Sequence, residues 1–113
     1  MSYGTGPAAA KDAALDALGN PVRRELVQRL AAGPKTVTAL AAGLPISRPA
    51  VSRHLAVLKQ AELVSDQSAG TQRIYALNES GFAAMRDWLE RFWSDAEARF
   101  RLVAENTAER TDD

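Results

Sequence analysis

Three cations, Arg48, Arg53 and Lys59, and two hydroxyls, Ser47 and Ser52, are spaced along the run Ile46-Ser47-Arg48-Pro49-Ala50-Val51-Ser52-Arg53-His54-Leu55-Ala56-Val57-Leu58-Lys59. The chemistry open to them is recognition rather than catalysis. A guanidinium can donate two parallel hydrogen bonds to a guanine edge, while Ser and Lys reach phosphate oxygens. Ser47 suits a helix N-cap, and Pro49 is tolerated in the first turn. At about 100° per residue, Val51, Leu55 and Leu58 fall on one stripe. Pro49, Arg53, Ala56 and Gln60 point the other way, with Arg48, Ser52 and Lys59 along a flank. Short side chains on that outer face let a backbone approach a DNA major groove. An amphipathic helix whose polar face meets only water has the same pattern, so the flanking segments must decide.

Each candidate carries a functional and a plain reading. Arg53 contacts a guanine edge or is a solvated arginine. Ser47 and Arg48, at the helix start, reach phosphate or edge bases, and Ser47 doubles as the cap. Ser52 donates to phosphate or bonds back to its own backbone. Lys59 anchors phosphate or is solvated. His54, at the shoulder of the apolar stripe, is packed and hydrogen-bonded, or contacts phosphate when protonated.

The surrounding elements follow from periodicity and punctuation. Residues 1–10 read as a flexible tail and 107–113 as a disordered one, leaving 11–106 as a single domain. Ala8 to Leu18 is Ala-rich and forms a short first helix, ended by Gly19. Asn20-Pro21 opens a second helix with buried stripe Val22, Leu26, Val27 and Leu30, closed by Gly33-Pro34. Arg23 and Arg24 open that helix where the dipole disfavours cations, which implies a salt bridge to Glu25 or Asp16, or phosphate binding. Thr36 caps a third helix, Val37 to about Ala42, with Val37, Leu40 and Ala41 inward. A turn at Gly43-Leu44-Pro45-Ile46 then leads into the cationic run. Two helices so joined form a helix-turn-helix arrangement.

Past Ala61 the texture changes. Leu63 to Ser68 and Gln72 to Leu77 are β-like, separated by Ala69-Gly70-Thr71, a hairpin with glycine at its turn. Arg73, just after the turn, suits a minor groove or the DNA backbone, or is a strand-edge charge that guards against aggregation. Gln72 and Thr71 could add backbone contacts. Asn78 or Ser80 opens the longest helix, apolar at Phe82, Met85, Leu89, Phe92, Ala96, Phe100 and Val103, a spacing close to a coiled-coil seam. Trp88 and Trp93 lie off that row, which implies a second buried side. The aromatics there either line a ligand pocket or pack an interface. The fold class is thus mainly α with a small β-hairpin, in the order α-α-α-α-β-β-α.

Composition narrows the function. The 113 residues contain no cysteine and one histidine, and fourteen basic residues balance fourteen acidic ones. No disulfide framework or thiolate metal site is possible. No apolar run approaches the roughly 18 residues of a membrane span, and residues 1–10 lack the pattern of a signal peptide, so the cytoplasm is expected. No nucleophile–base set, phosphate loop or metal cluster can be assembled, so neither an enzyme nor a cofactor is expected. Zero net charge conceals an asymmetry: from Asn20 to Arg73 eight basic residues face three acids, and from Ile74 onward five Arg face nine acids. The middle attracts phosphate and the ends do not.

Taken together the chain resembles the ArsR/SmtB family of winged helix-turn-helix transcription regulators. The residues that carry this are Leu18-Gly19-Asn20-Pro21-Val22-Arg23-Arg24-Glu25-Leu26-Val27, Leu44 through Leu55, Leu58-Lys59-Gln60-Ala61-Glu62-Leu63-Val64, and Gly70-Thr71-Gln72-Arg73-Ile74-Tyr75-Ala76-Leu77 in the wing. The resemblance implies a homodimer held by the first and last helices, through Leu15, Leu18, Phe82, Met85, Leu89, Phe92, Trp93, Ala96 and Phe100. It implies a palindromic double-stranded DNA operator, usually repressed, with the helix from Ser47 in the major groove and the hairpin on the neighbouring backbone. Family members sense metals through cysteines before the recognition helix or through His and carboxylate pairs on the last helix. This chain has Val37-Thr38-Ala39-Leu40-Ala41-Ala42 in the first place and no histidine in the second, so no metal site is expected. An effector, if one exists, is a small molecule or a partner protein. The competing function is a winged-helix interaction module that docks a partner protein through its long C-terminal helix.

Overall fold

The computed structural model describes residues 7–111, and the expected tails at 1–6 and 112–113 lie outside the described residues. Eight elements follow one another: α1 (Pro7–Ala17), α2 (Pro21–Ala31), β1 (Lys35–Thr36), α3 (Val37–Ala41), α4 (Arg48–Gln60), β2 (Val64–Ala69), β3 (Gln72–Leu77) and α5 (Glu79–Thr111). Helix starts are set by side-chain caps. Asn20 Oδ1 accepts from the amides of Val22 and Arg23, Thr36 Oγ1 from Ala39, and Ser47 Oγ from Ala50. Each satisfies an amide that has no partner within its own helix. The C-terminus of α4 is closed by Glu62, which adopts a left-handed φ of 59° while the Leu63 amide donates to Leu58 O. That six-to-one hydrogen bond turns the chain directly into the hairpin.

The core is built from the stripes the periodicity marks. Leu26 of α2, Leu40 of α3 and Val51, Leu55 and Leu58 of α4 are fully buried, and Leu63 joins them. Val22, Val27, Val37, Ala41, Leu44 and Ile46 pack around this cluster half-buried. The hairpin pairs Val64 with Leu77 through Ala69 with Gln72, leaving Gly70 and Thr71 as a two-residue loop. Gly70 has φ +65° and Thr71 is not in the left-handed region, as a type II′ turn requires.

Three differences from the sequence reading have physical causes. A third strand, β1, pairs antiparallel with β3 at Lys35–Tyr75 and Thr36–Ile74, giving the sheet order β1-β3-β2. Two residues carry no strand signal of their own, and these extend only because β3 presents them an open edge. At the chain ends helix replaces expected tail. α1 begins at Pro7, and α5 runs on to Thr111, with the Thr107 hydroxyl donating to Val103 O at 2.9 Å. Trp93, expected on a second buried side of α5, is instead exposed and donates its indole N–H to Glu97 at 3.0 Å. No helix among the described residues is long and apolar enough to cross a membrane.

Candidate nucleic-acid interface

α4 is held from beneath and open above. Its stripe Val51, Leu55 and Leu58 has no solvent exposure, whereas Ser47, Arg48, Pro49, Ser52, Arg53 and Lys59 are all exposed. The side chains of Arg48, Ser52 and Arg53 make no hydrogen bond or ion pair with any described residue. A guanidinium in that state keeps all five N–H donors for a ligand. The Ser52 hydroxyl does not bond back to its backbone, the alternative left open by the sequence. Gln72 and Arg73 stand on the exposed hairpin beside its turn.

His54 differs from the other candidates. It is half-buried, and Arg23 Nη1 of α2 lies 3.4 Å from its Nδ1. Since a guanidinium only donates, Nδ1 accepts and the ring proton sits on Nε2. Burial, and then the charges of Arg23 and Arg53, push the imidazole below its ordinary pKa. At neutral pH His54 is therefore an uncharged, packed side chain.

The sequence missed Asp66, the residue that joins the helix to the wing. Its Oδ1 lies 2.8 Å from Lys59 Nζ at the end of α4, and its Oδ2 accepts from Arg73 Nε of β3 at 2.6 Å. Arg73 Nη1 also donates to Ser68 Oγ at 3.3 Å. The Asp66 side chain is only 5% exposed beneath these two cations, each of which is itself about half exposed. Hydrogen bonds from Lys59 and then Arg73 hold the carboxyl below the usual carboxylate range, and Asp66 in turn raises Arg73. The available signal was register: Arg73 faces Ser68 across the ladder, and Asp66 is two residues along the same face.

Arg23 and Arg24 do not form the salt bridge expected with Glu25 or Asp16; Glu25 pairs with Arg29 instead. Arg23 Nε donates to Ala17 O at 2.6 Å and Arg24 Nη1 to Leu18 O at 2.9 Å. Both supply donors to the free carbonyls at the end of α1, where positive charge is favoured. Arg29 does the same for α3 through Leu40 O and Ala42 O, and also pairs with Glu25. Of the basic residues in the middle of the chain, these three brace the fold.

The residues expected at a dimer surface divide in two. Leu18, Phe82 and Met85 pack half-buried against the chain's own core. Leu15, Leu89, Phe92, Trp93 and Phe100 are exposed, Phe100 by 76%, with Leu102 and Val103 beside it, while Ala96 is intermediate. Trp88 stacks on Phe92 at 5.5 Å between ring centroids, and Lys11 Nζ lies over the Trp88 ring, 5.3 Å from its centroid. Leu15, Phe82, Met85, Trp88 and Leu89 line an apolar groove of about 430 Å³ between α1 and α5. Among the described residues no group of three or more His, Asp or Glu could hold a metal ion.

A helix seated by one stripe and free along its cationic side, beside a three-stranded wing, defines a winged helix-turn-helix DNA-binding protein. Comparison with known proteins extends this. A family described as Helix-turn-helix domain matches residues 18–67. The HTH-type transcriptional regulator Rv2034 of Mycobacterium tuberculosis is 55% identical over 85 residues, covering 75% of this chain and 79% of that protein. The transcriptional repressor SdpR of Bacillus subtilis is 36% identical over 76 residues, covering 67% and 84%. An ArsR-like transcriptional regulator from Rhodococcus sp. RHA1 superposes with a TM-score of 0.76 at 25% identity, covering 88% of this chain and 93% of that one. The structure of a possible transcriptional regulator for arsenical resistance gives 0.67 at 43% identity, covering 81% and 94%. The chain belongs to the ArsR family of winged helix-turn-helix transcription regulators, and it binds DNA to regulate transcription.

Proposed function

We propose that the protein is a homodimeric repressor that binds a palindromic operator, each protomer laying α4 in a major groove and its wing on the adjacent backbone. The observation that carries this is the face of α4, where Arg48, Ser52 and Arg53 are exposed and unengaged above a fully buried stripe. Arg53 reads a base edge, Ser47, Arg48 and Ser52 hold the flanking phosphates, and Pro49 allows close approach. Lys59, Gln72 and Arg73 extend the contact along the backbone. His54 supports α4 from the side through Arg23 rather than carrying charge to the DNA. Two such helices in a symmetric dimer address half-sites about 34–36 Å apart, one turn of duplex.

Repression is the reading favoured by the SdpR likeness. Its physical sense is steric: a dimer clasping an operator that overlaps a promoter excludes polymerase. The test is Arg53→Ala in gel shifts against genomic fragments enriched by the parent protein. A loss of about 1–3 kcal/mol is expected, with specificity relaxed at one base pair per half-site. Undiminished affinity and selectivity would remove α4 as the reading helix. Cellular placement follows from the activity, since a DNA regulator works in the compartment that holds the DNA, here the cytoplasm.

A further inference from the structure

Most of the cations in this chain's middle are assigned: three brace helix ends, and two stand free on α4. Lys59 and Arg73 are different, because one nearly covered carboxylate holds both. Asp66 commits Oδ1 to the last turn of α4 and Oδ2 to β3, so neither oxygen is left over. Each cation nevertheless keeps donors for a phosphate, since Lys59 has three N–H groups and Arg73 five. The base of the wing is fixed to the core, with Leu63 and Val64 buried and β1 paired to β3 as far as Thr36–Ile74, but the outer ladder, Ser68–Arg73 and Ala69–Gln72, extends beyond that pairing. Only two strands remain at that outer end, and a two-stranded end twists readily unless something pins it.

We propose that Asp66 is a positioning residue for DNA binding, tying the recognition helix to the wing through Lys59 and Arg73 so that the two dock as one unit. The triad also presents one net positive charge to DNA where two free cations would present two. Both consequences favour discrimination. A pinned wing reaches the backbone only when α4 is in register, and a smaller charge weakens sequence-independent attraction to any duplex. An acid beside two phosphate-binding cations is otherwise a hindrance to a DNA-binding protein. The inference rests on the reading of α4 and the wing as the DNA-binding surface.

The experiment compares the parent, Asp66→Asn and Asp66→Glu on two duplexes of equal length, the genomic fragment that the parent enriches most and a scrambled version of it. Asp66→Asn is expected to bind the scrambled duplex more tightly, with a log K against log salt slope steeper by about 0.9 per protomer, the increment for one further phosphate neutralised. Its preference for the enriched fragment falls at the same time, and Asp66→Glu keeps the parental slope. Weaker binding to both duplexes with an unchanged slope overturns the proposal, because Asp66 then only supports the hairpin. An unchanged preference overturns it as well. If Asp66→Asn does not fold, Lys59→Gln severs the helix arm alone. It is expected to lose more affinity for the enriched fragment than for the scrambled one, and equal losses on both overturn the tie. A parent that enriches no fragment at all brings down the DNA reading beneath it, an outcome distinct from any of these.

Discussion

Arg23 stands at the first turn of α2, where a helix dipole disfavours cations, yet it is tied on two sides. One arm donates to Ala17 O at the end of α1 and the other meets His54 on α4. Three helices therefore converge on a single guanidinium, and the arrangement requires His54 to be neutral. Protonation would set an imidazolium against Arg23, with Arg53 on the same helix adding to the repulsion. Because the folded pKa lies below that of the unfolded chain, about 6.5, the unfolded chain takes up the proton first as pH falls. Stability is thus whole above about pH 6.5 and is lost as pH drops through the folded value. Asp66 has the same sign in a lower window, losing its contribution only as pH falls below about 3.8. Melting temperatures taken between about pH 7.5 and 5 should fall for the parent and stay level for His54→Gln, whose amide keeps an acceptor without the titration. A His54→Gln profile that falls as steeply as the parent's would place the titration elsewhere.

At the scale of elements, the join between α4 and α5 is set by close backbone approach. The Gly81 amide donates to Glu62 O at 2.9 Å, and a Cβ at Gly81 would lie 2.6 Å from Ala61 O and 2.8 Å from Glu62 O. Gly81→Ala must therefore push the start of α5 off the end of α4, at an expected cost of about 1–3 kcal/mol. Thermal unfolding measures it directly, and an unchanged midpoint would mean that α5 is not fixed at this point. This junction was not legible beforehand, since glycine near a helix start has no unique meaning in sequence. The helices themselves were legible. Val51, Leu55 and Leu58 are spaced by the α-helical period, and their burial follows from that period alone. β1 was not, because its two residues pair only where β3 offers an edge. Asp66, Arg23 and Arg24 were hidden for a related reason. Their partners lie on other elements, and local spacing says nothing about which helix end or strand face a charge will meet. The exposed face of α4 was readable as a candidate surface because helical geometry places it without reference to anything distant.

The whole molecule is extended, 74 Å along its longest axis, because α5 outruns the domain it starts from. Thirty-three residues span about 50 Å, and from Leu89 to Thr107 every residue except Ala96 is exposed. Polar helices can stand free, but this stretch carries Leu89, Phe92, Phe100 and Val103 on one face, with exposures from 54% to 76%, and Trp93 at the edge of it. An apolar row of that length in water marks an interface. On the proposed reading the occupant is a second copy, since two-fold symmetry would set the same row against itself and continue the groove between α1 and α5. The expected state is a dimer by sedimentation. Phe100→Glu, which places a charge at the most exposed aromatic, should shift it towards monomer and weaken operator binding along with it. Arg53→Ala supplies the contrast, remaining dimeric while losing selectivity, so assembly and reading separate into different surfaces. A parent that sediments as a monomer while still selecting DNA fragments would leave the row on α5 to a different protein.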